Sequence, residues 1–253
     1  MIKKLIVLFL LASLSIFAIT GCDGIGTPNG TEGEGEGEGE GEEEVEITVL
    51  VEAFIADGCA NCRVIEPYLE ELAQEYSREE MILLEEAPWG LYKTDEVRSR
   101  YNWYVPSQDG VPYVFFNGTS KIKGIANKDT FKTRIENQRA VTPTIQLQAS
   151  RITDNEGTTI TGKVKNISSS TLTNLEVNGM TFRNRGKTGF RYSVTDIFED
   201  EKEHIATLAA GEEASFTITV DGLDWNAQNI DGVIFVQSVN HPQKVIRQSL
   251  FID

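Results

Sequence analysis

Hydrophobic and polar positions divide the chain into four stretches. Residues 5–19 are almost all apolar, whereas residues 23–46 contain almost no apolar side chain. Residues 47–55 are apolar and β-branched and are followed by apolar positions at helical spacing, and from residue 142 apolar and polar positions alternate. These patterns predict, in chain order, an apolar segment, an unstructured stretch, a mixed α/β region and an all-β region.

The first stretch is typical of an export signal. Lys3 and Lys4 precede the apolar run, which is shorter than the roughly 20 residues that a transmembrane helix needs. The tetrapeptide at residues 19–22 resembles the lipobox of bacterial lipoproteins, which implies cleavage before Cys22 and a diacylglycerol on its sulfur. We therefore expect a lipoprotein signal peptide over residues 1–21 and lipidation of Cys22. An ordinary secretory signal and an uncleaved anchor helix stay open as alternatives.

Residues 22–45 are expected to form a disordered tether. The segment alternates glycine and glutamate, and residues 32–46 contain nine glutamates and no basic residue. Glycine adds flexibility but no core, and like charges extend the chain. The tether therefore separates a membrane-bound Cys22 from the folded part of the protein.

Two cysteines mark the turn that follows the apolar run of residues 47–55. Cys59 and Cys62 are separated by two residues, and the apolar positions after them form one helical stripe. The pair thus lies where a buried strand turns into an amphipathic helix. Because free N–H groups and the positive end of the helix dipole stabilise a thiolate, we expect the pKa of the Cys59 thiol to fall below the free value of about 8.5.

The sequence from Cys59 to Leu69, with Pro67 inside the helix, resembles the active site and first helix of the thioredoxin family. The later segments follow in a similar order: a short helix from Thr94 to Tyr101, a strand with a proline at residues 111–118, a strand at 121–124 and a helix at 128–138. The resemblance implies an α/β thioredoxin-like domain over residues 46–140, with a mixed central sheet flanked by helices.

The resemblance also implies roles for four residues. Cys59 would be the attacking thiolate, and Cys62 would be the resolving thiol. Pro112, after a cis peptide bond, would form with Val111 the clamp that binds a substrate chain through the backbone.

The chain departs from the family pattern close to the cysteines. Gly58 replaces the aromatic residue that usually precedes the first cysteine, and Ala53 stands where the family has a buried acid. Glu52 is adjacent, but successive residues of a strand point to opposite faces. Since that acid assists proton transfer at the second cysteine, its absence argues against rapid turnover as a reductase, though not against disulfide exchange.

The alternating pattern predicts a second domain over residues 141–253. Several short strands separated by turn-rich pieces indicate an antiparallel sandwich. Residues 162–168 and 208–220 resemble, loosely, immunoglobulin-like modules of bacterial surface proteins. We therefore expect an all-β immunoglobulin-like sandwich and leave its role open.

Composition narrows the possible chemistry. The chain has 253 residues and a formal net charge of −16, which argues against a nucleic-acid partner because phosphate binding needs a basic face. With three cysteines and two histidines, a four-ligand zinc site is hard to build. We expect no metal and no other cofactor.

Together these features predict a membrane-anchored thiol–disulfide oxidoreductase in the cell envelope, outside the cytoplasm. Its partners would be the thiols and disulfides of exported proteins, an unidentified redox partner and, through the lipid on Cys22, the membrane. The alternative is a non-enzymatic binding lipoprotein of the surface or periplasm that uses the thioredoxin-like fold as a scaffold and carries a structural disulfide. The direction of electron flow stays open.

Overall fold

The computed structural model describes residues 45–252 apart from 155–156, 187–188, 222–224 and 240–243. These residues belong to one structural unit, which begins at Glu43. The expected signal peptide, the lipidation site Cys22 and nearly all of the expected tether lie outside the described residues. None of the described helices is long and apolar enough to cross a bilayer.

The N-terminal part of the unit alternates strands and helices. Two helices begin at capping side chains: Thr94 accepts a hydrogen bond from the Val97 N–H at 3.1 Å, and Asn127 accepts one from the Thr130 N–H at 2.9 Å. The elements are β1 (Val49–Phe54), α1 (Cys62–Glu75), β2 (Met81–Glu86), α2 (Asp95–Tyr104), β3 (Tyr113–Phe116), β4 (Ser120–Lys123) and α3 (Lys128–Arg139).

The C-terminal part is almost entirely β. Its one described helix is a single turn, and its strands carry the alternating pattern of the sequence. The elements are β5 (Ile145–Thr153), β6 (Gly157–Asn166), β7 (Leu172–Arg183), β8 (Ser193–Ile197), β9 (Glu203–Leu208), β10 (Glu213–Asp221), α4 (Trp225–Gln228), β11 (Asp231–Ser238) and β12 (Ile246–Ile252).

Strands from both parts form one large sheet. Among the described residues its order is β12-β11-β7-β8-β2-β1-β3-β4, with β9 paired to β7. β1 runs parallel to β2 and antiparallel to β3. β8 joins the outer edge of β2 where Glu85 pairs with Ser193, and the Glu85 N–H donates to the Tyr192 carbonyl at 2.8 Å. A second, antiparallel sheet has the order β10-β6-β5.

β1 is buried on both faces, which accounts for its unbroken apolar sequence. Val51 and Ala53 share a core with Ile65 of α1 on one face. On the other face, Leu50 packs with strands of the C-terminal part, and Phe54 packs into an aromatic cluster with residues of α2 and β3. The apolar face of the second sheet packs on β7 and β11.

The expected fold class, an α/β thioredoxin-like domain followed by a separate all-β immunoglobulin-like sandwich, is wrong. The described residues form a mostly β fold in which β8, β7, β11 and β12 extend the sheet that contains β1 to β4. The outer edge of β2 exposes backbone N–H and C=O groups that need partners, and the C-terminal part supplies them. Pairing between distant segments leaves no trace in local periodicity, so alternation alone indicated a separate sandwich.

A buried ion pair lies where the two parts meet. Arg100 of α2 donates to the carboxylate of Glu52 on β1, and their side chains are 4% and 0% exposed. The Tyr104 hydroxyl donates to the other Glu52 oxygen at 2.9 Å. Gln237 of β11 donates to the Tyr104 oxygen at 2.9 Å and accepts from Arg100 at 3.3 Å. This network connects β1 and α2 to β11.

A further buried acid borders the ion pair. Glu86 is fully buried, and burial together with the negative charge of Glu52 raises the pKa of its carboxyl well above the ordinary range. A protonated Glu86 can donate to Glu52, whereas a charged one would lie without a hydrogen-bond partner. The junction therefore holds one ion pair rather than an excess of buried negative charge.

Replacing Arg100 with methionine should destabilise the protein strongly. The substitution leaves Glu52 as an uncompensated buried charge, which we expect to lower the free energy of unfolding by about 3–5 kcal/mol. Arg98→Met, at an exposed position of the same helix, is the control and should change it by no more than about 0.5 kcal/mol. Urea unfolding of both variants measures the difference, and equal midpoints would contradict the assigned role of Arg100.

Candidate functional site

Cys59 and Cys62 lie in the turn that joins β1 to α1, where the spacing predicts them. The Cys59 N–H donates to the Ala56 carbonyl at 3.2 Å, and α1 begins at Cys62. Gly58 has a φ of +79°, a backbone conformation that favours glycine, which explains why an aromatic residue is absent there. The two cysteines form a disulfide, with their Cα atoms 5.3 Å apart.

The two sulfurs differ in environment. Cys59 is half-buried, whereas Cys62 is 1% exposed and belongs to the core beneath α1. The Cys62 N–H donates to the Cys59 sulfur at 3.1 Å. A free N–H at the positive end of a helix stabilises negative charge on the atom it contacts. Negative charge on a reduced pair is thus favoured at Cys59, the sulfur that a second molecule can reach.

Val111 and Pro112 lie beside this sulfur. The Val111–Pro112 peptide bond is cis, which confirms that expectation, and the Val111 carbonyl oxygen is 3.8 Å from the Cys59 sulfur. Pro112 is buried, and its carbonyl accepts the Gly124 N–H at 2.9 Å, which fixes it to the end of β4. The fold therefore brings together the four expected site residues of the described chain, whose roles in exchange stay predictions.

A buried acid that sequence reasoning did not find lies beside Ala53, the position where the family acid is missing. Ala53 is buried in the same core as Cys62, and Glu52 points to the other face, towards Arg100. Glu85 of β2 lies in register with Ala53 and is 1% exposed. The available signal was a pair of acids, Glu85 and Glu86, after four apolar residues of a strand, which by itself indicates an exposed strand end.

Glu85 belongs to a group of three acids. Glu66 and Glu70 lie four residues apart on α1, and the three carboxylates are within 4.8 Å of one another. Burial raises the pKa of Glu85 to about 8, and burial also raises the pKa of Glu66 and of Glu70. Arg191 contacts Glu70 at 3.0 Å. Carboxylate oxygens are ligands for hard cations, and no other group of three candidate ligands is this close within the described ranges.

Comparison with known proteins identifies a solved structure with a similar fold but does not indicate an activity. No protein-family model and no curated protein matches this chain. The chain is similar to HBP35 of Porphyromonas gingivalis, with a TM-score of 0.64 and 15% identity over 81% of this chain and 74% of that chain. At this identity the similarity shows a shared fold alone.

Two further solved structures are less similar. For a domain of the outer membrane lipoprotein Omp28 from Porphyromonas gingivalis, the TM-score is 0.32 and the identity 16%, over 45% of this chain and 89% of that chain. For β-glucuronidase 2 of Bacteroides uniformis, the TM-score is 0.28 and the identity 17%, over 42% of this chain and 12% of that chain. Neither similarity carries an argument about this protein.

The identification as a thioredoxin-like protein with a C-terminal immunoglobulin-like module is wrong, and the oxidoreductase classification drawn from that resemblance loses its support. No family model supports it. The similarity to HBP35 covers 81% of the chain, and a match of that length includes both parts of the sheet. Any redox role must therefore be argued from the geometry of the cysteines.

The reduced protein should show one fast and one slow thiol. A fall of one unit in pKa makes the thiolate fraction at pH 6 about tenfold larger, so iodoacetamide at that pH should label Cys59 well before the buried Cys62. Mass spectrometry of the labelled peptides over time measures the two rates. Two equally slow rates, no faster than that of free cysteine, would argue against a stabilised thiolate.

Proposed function

We propose that this protein exchanges disulfides with exported proteins through Cys59 and Cys62. The observation that carries the proposal is the hydrogen bond of 3.1 Å from the Cys62 N–H to the sulfur of Cys59, the less buried member of the pair. This arrangement favours attack by Cys59 and shields Cys62 until a partner is covalently bound. The proposal depends on this geometry and not on the family resemblance.

The exchange proceeds in two balanced steps. The Cys59 thiolate attacks one sulfur of a client disulfide, a bond forms between the two sulfurs, and the other client sulfur leaves as a thiolate that takes a proton from water. Cys62 then loses its proton to water and attacks the Cys59 sulfur, which releases the client's remaining sulfur. Two electrons pass from the cysteine pair to the client, and the reverse sequence oxidises a client dithiol.

Val111 and Pro112 are the proposed contact for the client chain. The Val111 carbonyl borders the Cys59 sulfur at 3.8 Å, so an extended chain linked to that sulfur would run past the Val111 backbone. Backbone hydrogen bonds bind a chain without selecting its side chains. Such a contact suits a protein that acts on several clients.

We also propose that a lipid on Cys22 anchors the protein outside the cytoplasm. Disulfides persist in oxidising compartments, and the expected tether would let the folded part reach clients at a distance from the membrane. The lipid itself and the side of the envelope are parts of the proposal.

The alternative is a binding lipoprotein in which the disulfide is structural. Ala53 favours it, because an apolar side chain beside Cys62 offers no group that accepts its proton during resolution. The two functions differ in one observable: only exchange requires a covalent intermediate at Cys59.

Replacing Cys62 with serine should trap that intermediate. The reduced Cys62→Ser variant of the full chain should form a mixed disulfide with intact, disulfide-bonded insulin or with glutathione disulfide, and the adduct should persist because the resolving sulfur is absent. Non-reducing electrophoresis and mass spectrometry measure it, and dithiothreitol should release it.

The matched control is Cys59→Ser, which also lacks the internal disulfide and leaves the buried Cys62 of the pair; both variants also carry Cys22→Ser, which removes the third thiol of the chain. It should form no adduct under the same conditions, while circular dichroism shows that both variants are folded. Adducts of equal yield in both variants, or in neither, would overturn the proposed exchange and favour the structural disulfide.

A further inference from the structure

We infer that Glu66, Glu70 and Glu85 form a binding site for a hard divalent cation of the Ca²⁺ type between α1 and β2. This site uses neither cysteine, so the inference is independent of the proposed exchange. It begins with the positions of the three residues. Glu66 and Glu70 are four apart and share one face of α1, and that face lies over the end of β2, where Glu85 is located.

Proximity of acids alone would not identify a site, but Glu85 adds a separate observation. Its side chain is 1% exposed, and its Oε1 atom has no hydrogen-bond partner. Its Oε2 atom accepts the Tyr192 N–H at 2.8 Å, and the carboxyl has a further backbone hydrogen bond from Arg191. A buried carboxylate oxygen without a partner is costly, and a bound cation is one of the few groups that could satisfy it.

The spacing of the oxygens suits one ion. One oxygen from each of the three residues lies within 4.8 Å of the other two. Ca²⁺ binds carboxylate oxygens at about 2.3–2.6 Å, so oxygens on opposite sides of the ion are about 4.6–5.2 Å apart. Three oxygens no more than 4.8 Å apart lie at most about 2.8 Å from a common centre, so side-chain shifts of a few tenths of an ångström bring all three onto a single ion.

The charges around the cluster leave room for a cation. The Arg191 guanidinium pairs with Glu70 at 3.0 Å, and its side chain is 53% exposed. Arg63 attracts Glu66 from the same helix. Arg191 reaches Glu85 only through a backbone hydrogen bond, because its guanidinium is paired with Glu70. A divalent cation would balance the negative charge that the two arginines leave.

The cluster is also accessible to an ion from solution. Glu66 is half-buried and the Glu70 side chain is 15% exposed, so one side of the cluster opens to water while Glu85 closes the other. Water can supply the ligands that complete the six to eight oxygens Ca²⁺ prefers. With three carboxylates on regular elements, we expect a dissociation constant of about 10⁻⁵–10⁻³ M.

The test is calorimetric titration of the full chain, treated with a chelator, with Ca²⁺ and with Mg²⁺. We expect one saturable Ca²⁺ site per chain, weaker binding of Mg²⁺, and a rise of several degrees in the melting temperature with Ca²⁺. Glu85→Gln should reduce Ca²⁺ affinity at least about tenfold and remove the thermal shift, because an amide of the same shape keeps the acceptor for Tyr192 but loses the charge.

The matched control is Glu71→Gln, an exposed position on α1 whose carboxylate pairs with Lys128 instead of the cluster. It should bind Ca²⁺ like the unmodified chain. If Glu85→Gln does not fold, Glu66→Gln at the open side gives the same comparison. Absence of saturable binding of either ion, or equal affinity in the cluster variants and in Glu71→Gln, would overturn the inference.

Discussion

The charge of Arg100 is the constraint on which the arrangement of the two parts depends. A guanidinium cannot be buried without partners, because its loss of hydration costs several kcal/mol. Glu52 supplies the counter-charge, and Gln237 accepts from the guanidinium at 3.3 Å. These partners come from β1 and β11, which are far apart in the chain but must lie against α2 together. The ion pair therefore requires the fold that the shared sheet provides.

The same constraint reaches the cysteines through β1. Glu52 holds one face of this strand at the junction, and Ala53, the next residue, lies in the core beneath α1. Packing on both faces fixes the position of β1. It therefore also fixes the position of the turn that leads from β1 to α1. The approach of the Cys59 sulfur to the Cys62 N–H and to the Val111 carbonyl depends on that turn. Packing far from the disulfide thus determines which groups contact the Cys59 sulfur.

Local features of the chain were predictable, and pairings between distant segments were not. The strand at residues 47–55, the helix after Cys62 and the cap at Thr94 follow from periodicity and from hydrogen bonding between near neighbours. The junction of β2 with β8 depends on which edge meets which strand, and a pattern of alternation carries no such information. Glu85 was missed for this reason: it is an exposed strand end if β2 is an edge, and a buried acid once β8 covers it.

The two proposals meet on α1. Cys62 begins this helix, and Glu66 follows one turn later, at a rise of about 6 Å. Carboxylates without a counter-charge destabilise a thiolate at that end of the helix. The repulsion between two like charges falls only slowly with distance in a partly buried site. A cation bound by Glu66, Glu70 and Glu85 would remove that repulsion and would connect α1 to the strand that joins the two parts. Through the cluster, a bound cation would therefore affect the stability of a thiolate at the start of α1 without contacting either sulfur.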